Sequence, residues 1–424
     1  MSFKIAEWTK AANIYEVNIR QYTKEGTLKA FVPHINRLKN MGVSIVWLMP
    51  IFPVGQVNRK GTLGSAYSIR DYKTVNPDYG TIDDLKIVVD QIHKAGMHVV
   101  LDWVANHTAW DHEWITSHPE YYERDQWGNI KAPNADWTDT AHLNYGNPAT
   151  REAMIDALKF WVEKLDIDGY RCDMAGLVPV DFWIQARTEI EKKKKDLFWL
   201  AEWEDPQIHQ AFDMSYSWNL QALMAKITRR EQNVYDLDHY RSAEIWNYPN
   251  SEYRMVFTSN HDENSWHGSE YQRYGNGAKT YAVLSYCLPA MPLIYSGQES
   301  ALNRSLPFFE KDCIEWGDYP LEDFYKKLNG LKKDNPALWN GKFGGSFSKI
   351  FTSDNSRAYV FARIKDKNKV IAFFNLSHEQ TEFKAENQLL EGKYTDFLTN
   401  EEKKFSTLEN FTLKPWEYKI FVAK

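Results

Sequence analysis

What most constrains this chain is a repeating texture. Short apolar, β-branched runs alternate with longer amphipathic stretches up to about residue 330. The runs lie at 14–17, 43–48, 98–101, 169–172, 198–201, 214–216, 254–258 and 291–295. Between them, apolar residues recur at helical spacing, as in Ile82, Leu85, Val88, Val89 and Ile92, with Thr81 as N-cap and Gly96 as stop. Strands alternating with helices predict a parallel sheet. Eight such units predict a closed (β/α)8 TIM barrel rather than an open sheet. Two segments break the rhythm. Residues 108–150 are rich in Trp, Tyr, Asp, Asn, His and Pro without a period. A loop this long in a compact domain is usually functional, and it reads as a small inserted domain after strand 3. From residue 337, short alternating strands at 358–362, 369–374 and 418–422, with turn residues between them, predict a C-terminal antiparallel β-sandwich. The expected division is 1–107 with 151–336 for the barrel, 108–150 for the insert and 337–424 for the sandwich.

Composition removes several function classes. A net charge of -6 disfavours nucleic acid as a partner, because phosphate binding needs a basic face. No run approaches the roughly 18 apolar residues of a membrane span. Residues 1–10 lack a basic stretch followed by an apolar one, so a cytoplasmic location is expected. Cys172, Cys287 and Cys313 show no metal or disulfide spacing and read as reduced thiols. The 17 Trp include more rings than a core needs, and a sugar-binding cleft uses such rings for stacking.

Chemistry concentrates at the strand ends. Arg171 and Asp173 are two apart in a strand and face one side. An Arg beside an Asp should lower its pKa and keep it charged, as a nucleophile requires, although a structural ion pair would look the same. Glu202 sits against Trp203 at a strand end, where poor solvation should raise its pKa and suit it to a general acid. Glu204 is the competing carboxylate. Asp262, after Asn260 and His261, is a third acid, placed to stabilise positive charge on a sugar ring. His107 and His261 are candidate ligands for sugar hydroxyls, and Asp102 reads as support for Arg171. His107 and His112 lack zinc-motif spacing. There is no phosphate-binding glycine loop and no nucleophile-elbow serine.

In this order and spacing, four segments resemble the sequence regions of the α-amylase family of glycoside hydrolases. They carry Asp102 with Asn106 and His107, Arg171 with Asp173, Glu202, and Asn260 with His261 and Asp262. Tyr67, near Asp71 and Tyr72, resembles the family tyrosine that stacks on the sugar. Leu143 and Asn144, and the run from Tyr295 to Glu299, resemble weaker family motifs. The resemblance implies a retaining α-glycosidase with Asp173 as nucleophile, Glu202 as acid/base and Asp262 as transition-state stabiliser. Substrate contacts would fall to Tyr67, His107, Arg171, Trp203, His261 and Asp102. Retention implies carboxyl groups about 5–5.5 Å apart.

The chain departs from the pattern after Asp173. Many relatives continue into a Lys-His pair, whereas this sequence has Met174 to Pro179. Acceptor subsites should therefore differ. The departure also weakens a structural calcium site through Asn106, since calcium needs 6–8 oxygens. No cofactor is required. The expected substrate is an α-1,4-glucan or malto-oligosaccharide. The alternatives are a glucan-transferring or phosphorolytic relative, or a non-catalytic amylase-like binding protein.

Overall fold

The computed structural model describes residues 3–248 and 253–423. Met1 and Ser2 of the amino-terminal stretch, and Lys424, lie outside the described residues. The eight apolar runs close into a parallel barrel of strands Ile14–Val17, Ile45–Leu48, His98–Val104, Gly169–Asp173, Phe198–Ala201, Met214–Tyr216, Tyr253–Phe257 and Met291–Tyr295. Sequence neighbours pair in order, and Ile14 opposite Leu293 closes the ring. Parallel strands require long crossovers. Helices such as Ile82–Lys94, Pro148–Leu165 and Val180–Ile190 supply them.

Period-2 alternation sorts each strand into two faces. Ile14, Ile45, Val100, Leu200, Met214, Met255 and Leu293 fill the barrel interior. The alternate residues Tyr15, Val46, Leu101, Tyr170, Cys172 and Trp199 pack into the larger cluster shared with the helices. On the first, third and fourth strands the next inward position is charged, whereas Trp47, Tyr216 and Phe257 are aromatic. Glu16 lies opposite Trp47, Asp102 opposite Arg171, and Val104 opposite Asp173. A polar floor thus stands directly on an apolar plug. The third strand continues to Val104, past the expected end at 101, so Asp102 lies inside the strand. Cys172 points outward and is buried.

Local signals set the helix bounds. Thr81 and Asp84 form a reciprocal capping box on Ile82–Lys94. Pro148–Leu165 begins ahead of residue 151, where the apolar period starts. Asn147 caps it and Pro148 occupies the first turn, where a missing N–H costs nothing.

The segment between the third and fourth strands is pinned at its base. His107–Ala109 pairs antiparallel with Thr140–His142. The C-terminal region holds a six-stranded antiparallel sheet and the pair Thr381–Glu386 with Leu408–Leu413. Phe373, Phe405 and Phe421 from the first pack with Phe383 and Phe411 from the second. Among the described residues, no helix is long and apolar enough to cross a membrane.

The fourth strand approaches the fifth so closely that a Cβ on Gly169 would stand 2.0 Å from the Phe198 carbonyl oxygen. Gly169→Ala must push these strands apart. It is expected to cost about 1–3 kcal/mol in chemical denaturation and to lower activity as well, because the same strand carries Arg171 and Asp173. Unchanged stability would contradict the packing described.

Candidate active site

Arg171 is the centre of the polar floor, and its guanidinium is fully buried. Nη1 donates to Asp102 Oδ1 at 2.9 Å and to Asp173 Oδ1 at 3.2 Å. Nε donates to the Tyr216 hydroxyl at 3.1 Å. Nη2 lies 2.8 Å from Glu202 Oε2, but off the N–H direction, so this contact is an ion pair rather than a hydrogen bond. The rings of Trp47, Tyr67 and Tyr216 surround the cation with centroids 5.0–5.7 Å away. One planar cation therefore fixes three carboxyl groups from the third, fourth and fifth strands.

Glu202 is held from a second side. Met174, in the left-handed region at φ 41°, turns its N–H to donate to Glu202 Oε2 at 2.9 Å. The competing Glu204 does not line the cavity. Its carboxylate is bound by Arg254 and accepts from the Asn219 N–H, away from the cavity.

On the opposite side, Asn260 caps the helix His261–His267 by accepting from the Glu263 N–H at 2.8 Å. The cap sets His261 and Asp262 at the helix start. His261 Nδ1 lies 2.5 Å from Glu16 Oε1, and Nε2 lies 2.8 Å from the Tyr67 hydroxyl and 3.3 Å from Asp262 Oδ2. Burial alone would lower the His261 pKa, but Asp262 and Glu16 together push it up to about 9. The ring is thus an imidazolium at neutral pH. Tyr67 accepts from it and donates to Asp102 Oδ2 at 3.0 Å. A single chain of contacts runs from Glu16 through His261, Tyr67 and Asp102 to Arg171. Glu16 was not singled out in the sequence. An acidic residue at an inward position of an apolar strand is the signal that marks it.

Burial pushes Asp102, Asp173, Glu202 and Glu16 upward in pKa. At Asp173 the charge of Glu202 adds to burial, and the two outweigh Arg171. The expected lowering of the Asp173 pKa by Arg171 is therefore corrected. The cation acts with the expected sign, but five carboxyl groups, counting Asp262, face only Arg171 and His261. The site favours retention of a proton, and Asp173 and Glu202 titrate as a pair. This arrangement can present one ionised and one protonated carboxyl group to the same ligand. His107 differs, since burial with His142 nearby lowers its pKa to about 3. It is neutral, with Asn106 Nδ2 3.2 Å from its Nδ1.

These groups open into a cavity of about 440 Å³ lined by Tyr67, His107, Asp173, Glu202, His261 and Asp262 among others. Arg171 and Asp102 lie beneath it and reach it only through their partners. Trp203 does not line it. Its ring packs on Gly176, where a Cβ would stand 2.0 Å from it. The wall also includes Lys60, Trp137, Trp266, Phe308 and Phe309, which no strand-end pattern marks. Asn106 Oδ1 is buried without a partner, yet no group of three or more His, Cys, Asp or Glu side chains that could hold a metal occurs among the described residues. One amide oxygen beside an imidazole does not meet the oxygen demand of calcium.

Raised carboxyl pKa values cost stability above the usual carboxylate range, and lowering the pH relieves the cost as the groups protonate. Asp173→Asn retains the acceptor for Arg171 and removes one buried charge. It is expected to raise Tm, more at pH 8 than at pH 5. A fall in Tm at pH 8 would contradict the account of the polar floor.

The family described as "Alpha amylase, catalytic domain" matches residues 6–306. A noncanonic maltogenic alpha-amylase from Thermotoga neapolitana superposes with a TM-score of 0.89 at 28% identity, covering 98% of this chain and 99% of its own. An alpha-amylase from Lactobacillus plantarum gives a TM-score of 0.87 at 28% identity, with 98% and 100% covered. Alpha-amylase 2 of Dictyoglomus thermophilum is 24% identical over 89% of this chain and 73% of its own length. With the closed barrel and its strand-end carboxyl groups, these matches show that the chain belongs to the α-amylase family of glycoside hydrolases.

Proposed function

We propose that this enzyme hydrolyses α-1,4-glucosidic bonds in starch-type glucans or malto-oligosaccharides, with retention of configuration. The observation that carries the reading is the Arg171 clamp. One guanidinium holds the carboxyl groups of Asp173 and Glu202 side by side at the floor of the cavity, as a nucleophile and an acid require. Burial raises the pKa of both carboxyl groups, so the pair holds on to a proton, which the mechanism places on Glu202.

In this mechanism the Asp173 carboxylate attacks the anomeric carbon. The bond to the leaving oxygen breaks as Glu202 transfers its proton to that oxygen. The Glu202 carboxylate then takes a proton from water, and the water oxygen displaces Asp173 from the same carbon. Asp262 stands against the developing positive charge on the ring. Neutral His107 serves ring hydroxyls, the His261 imidazolium lends its charge beside Asp262 and orients Tyr67, and Tyr67 offers a stacking face. Asp102, Arg171 and Glu16 position these groups. Trp203 shapes the loop below Glu202 rather than meeting sugar.

The proposed domains are a barrel over 1–107 and 151–336, an insert over 108–150, and a C-terminal β-sandwich over 337–424. Relatives named for hydrolysis and one named a maltosyltransferase share the family, so acceptor choice is the second reading. A purely binding role would give no reason to retain several buried carboxyl groups that destabilise the fold.

Time-resolved proton NMR of maltoheptaose tests the reading. Shorter chains appearing first as α-anomers are expected, and first-formed β-anomers would overturn retention. Longer chains would instead favour transfer. Glu202→Gln should lower kcat by about 10²–10⁴-fold while substrate still binds. Full activity in that variant would remove Glu202 from its role. EDTA treatment should leave both Tm and activity unchanged, and a reversible loss restored by calcium would contradict the reading of Asn106.

A further inference from the structure

The loops above the barrel are of unequal length. On the side of Glu202 the segments are shorter, and Glu202 to Asp213 joins the fifth strand to the sixth without an α-helix. Tyr216 ends the sixth strand and Trp218 opens the next helix, while Met174 to Pro179 is all that precedes Val180–Ile190. The opposite side carries the 49–81 loop after the second strand, the segment after the third, and the 296–321 loop after the eighth.

These three long segments are joined across their tips. Lys60 Nζ donates to the Asp136 carbonyl and lies 3.4 Å from Asp139 Oδ1. Ser68 Oγ donates to the Asp139 carbonyl at 3.0 Å. At the other end of the same loop, the Leu63 N–H donates to the Phe309 carbonyl at 3.1 Å. The Thr62 N–H donates to Glu310 Oε1 at 2.9 Å, and the Thr62 hydroxyl binds Oε2. Gly61, at φ 60°, sits so close that a Cβ would stand 2.6 Å from Phe309 Cβ and from Glu310 Oε1. Arg20 Nη1 ties the loop down by donating to the Gly64 carbonyl at 2.9 Å. The result is a continuous belt from the insert to the loop after the eighth strand. Trp266 extends it by packing on Phe308 and Phe309, with centroids 5.3 and 5.9 Å away.

We infer that the belt closes the cleft beyond the sugar held at Asp173, so that the enzyme cleaves malto-oligosaccharides from their non-reducing ends. The inference rests on the roles proposed for Asp173 and Glu202. If Glu202 protonates the leaving oxygen, the leaving part of the chain exits past the short loops. The retained part then points at the belt. A cavity of about 440 Å³ has room for few rings, and Lys60 and Asp139 stand in its wall. Lys60 carries three donor hydrogens, and the Asp136 and Asp139 acceptors leave one for a terminal sugar hydroxyl. A chain running through would need to displace the ion pair of half-buried Lys60 with buried Asp139, and a glycine contact with no slack.

The test compares maltoheptaose with maltoheptaose blocked by an ethylidene group at its non-reducing end. Both are assayed with the wild-type enzyme, Lys60→Ala, and Lys60→Ala combined with Glu310→Ala. The wild-type enzyme should cleave the blocked substrate at least about 10-fold more slowly than the free one. Its first products from free maltoheptaose should include one short sugar of fixed length. The ratio of blocked to free rates should rise in Lys60→Ala and rise further in the double variant, with mixed product lengths. Equal wild-type rates on both substrates would overturn the inference and leave the hydrolase reading intact. An unchanged ratio in both variants would also overturn it. Cleavage of neither substrate would overturn the hydrolase reading on which it depends.

Discussion

Arg171 is the group on which the rest of the site depends. It stands fully buried at the level where the apolar plug of the barrel ends. An isolated charge there would be costly to hold, and carboxyl groups from three strands share the compensation. In return, the guanidinium sets the spacing of Asp173 and Glu202, which no backbone hydrogen bond could set alone. Its planar fork suits this task, whereas a lysine ammonium offers a point charge without directional spacing. Removing it would leave several buried carboxyl groups facing each other.

The second constraint is the two-residue alternation of the strands. The side chains that fill the barrel and those that line its mouth are successive positions on the same face. Ile14 leads to Glu16, Val100 to Asp102, and Leu200 to Glu202. The closure that makes the barrel stable therefore also aims the polar groups at one point. Burial of these carboxyl groups raises their pKa values, with the charge of Glu202 adding to it at Asp173, which costs stability and creates a site able to hold and release a proton.

Much of this was legible in the sequence because its signals are local. The eight strand positions follow from apolar runs, and Arg171 with Asp173 follow from spacing within one strand. Asn260, His261 and Asp262 follow from their place at the end of an apolar run. What was not legible depends on contacts between distant segments. Glu16 gains its meaning only from His261, 245 residues away. Lys60 and Phe309 belong to loops whose meeting no periodicity encodes. Trp203 looked like a cleft residue because it adjoins Glu202, yet alternation turns it onto Gly176. The Asp173 pKa departs from the expectation for a similar reason. The nearest charge in sequence is Arg171, but burial and Glu202 decide the direction.

The central claim is that Asp173 forms a bond to sugar while Glu202 protonates the leaving group. The most direct measurement uses Glu202→Gln with α-maltosyl fluoride, whose leaving group needs no acid. The intermediate forms and then persists for want of a base. Mass spectrometry of the digested protein should find one added maltosyl unit on the peptide that contains Asp173. A label on any other carboxylate, or hydrolysis without accumulation of a labelled peptide, would contradict the account.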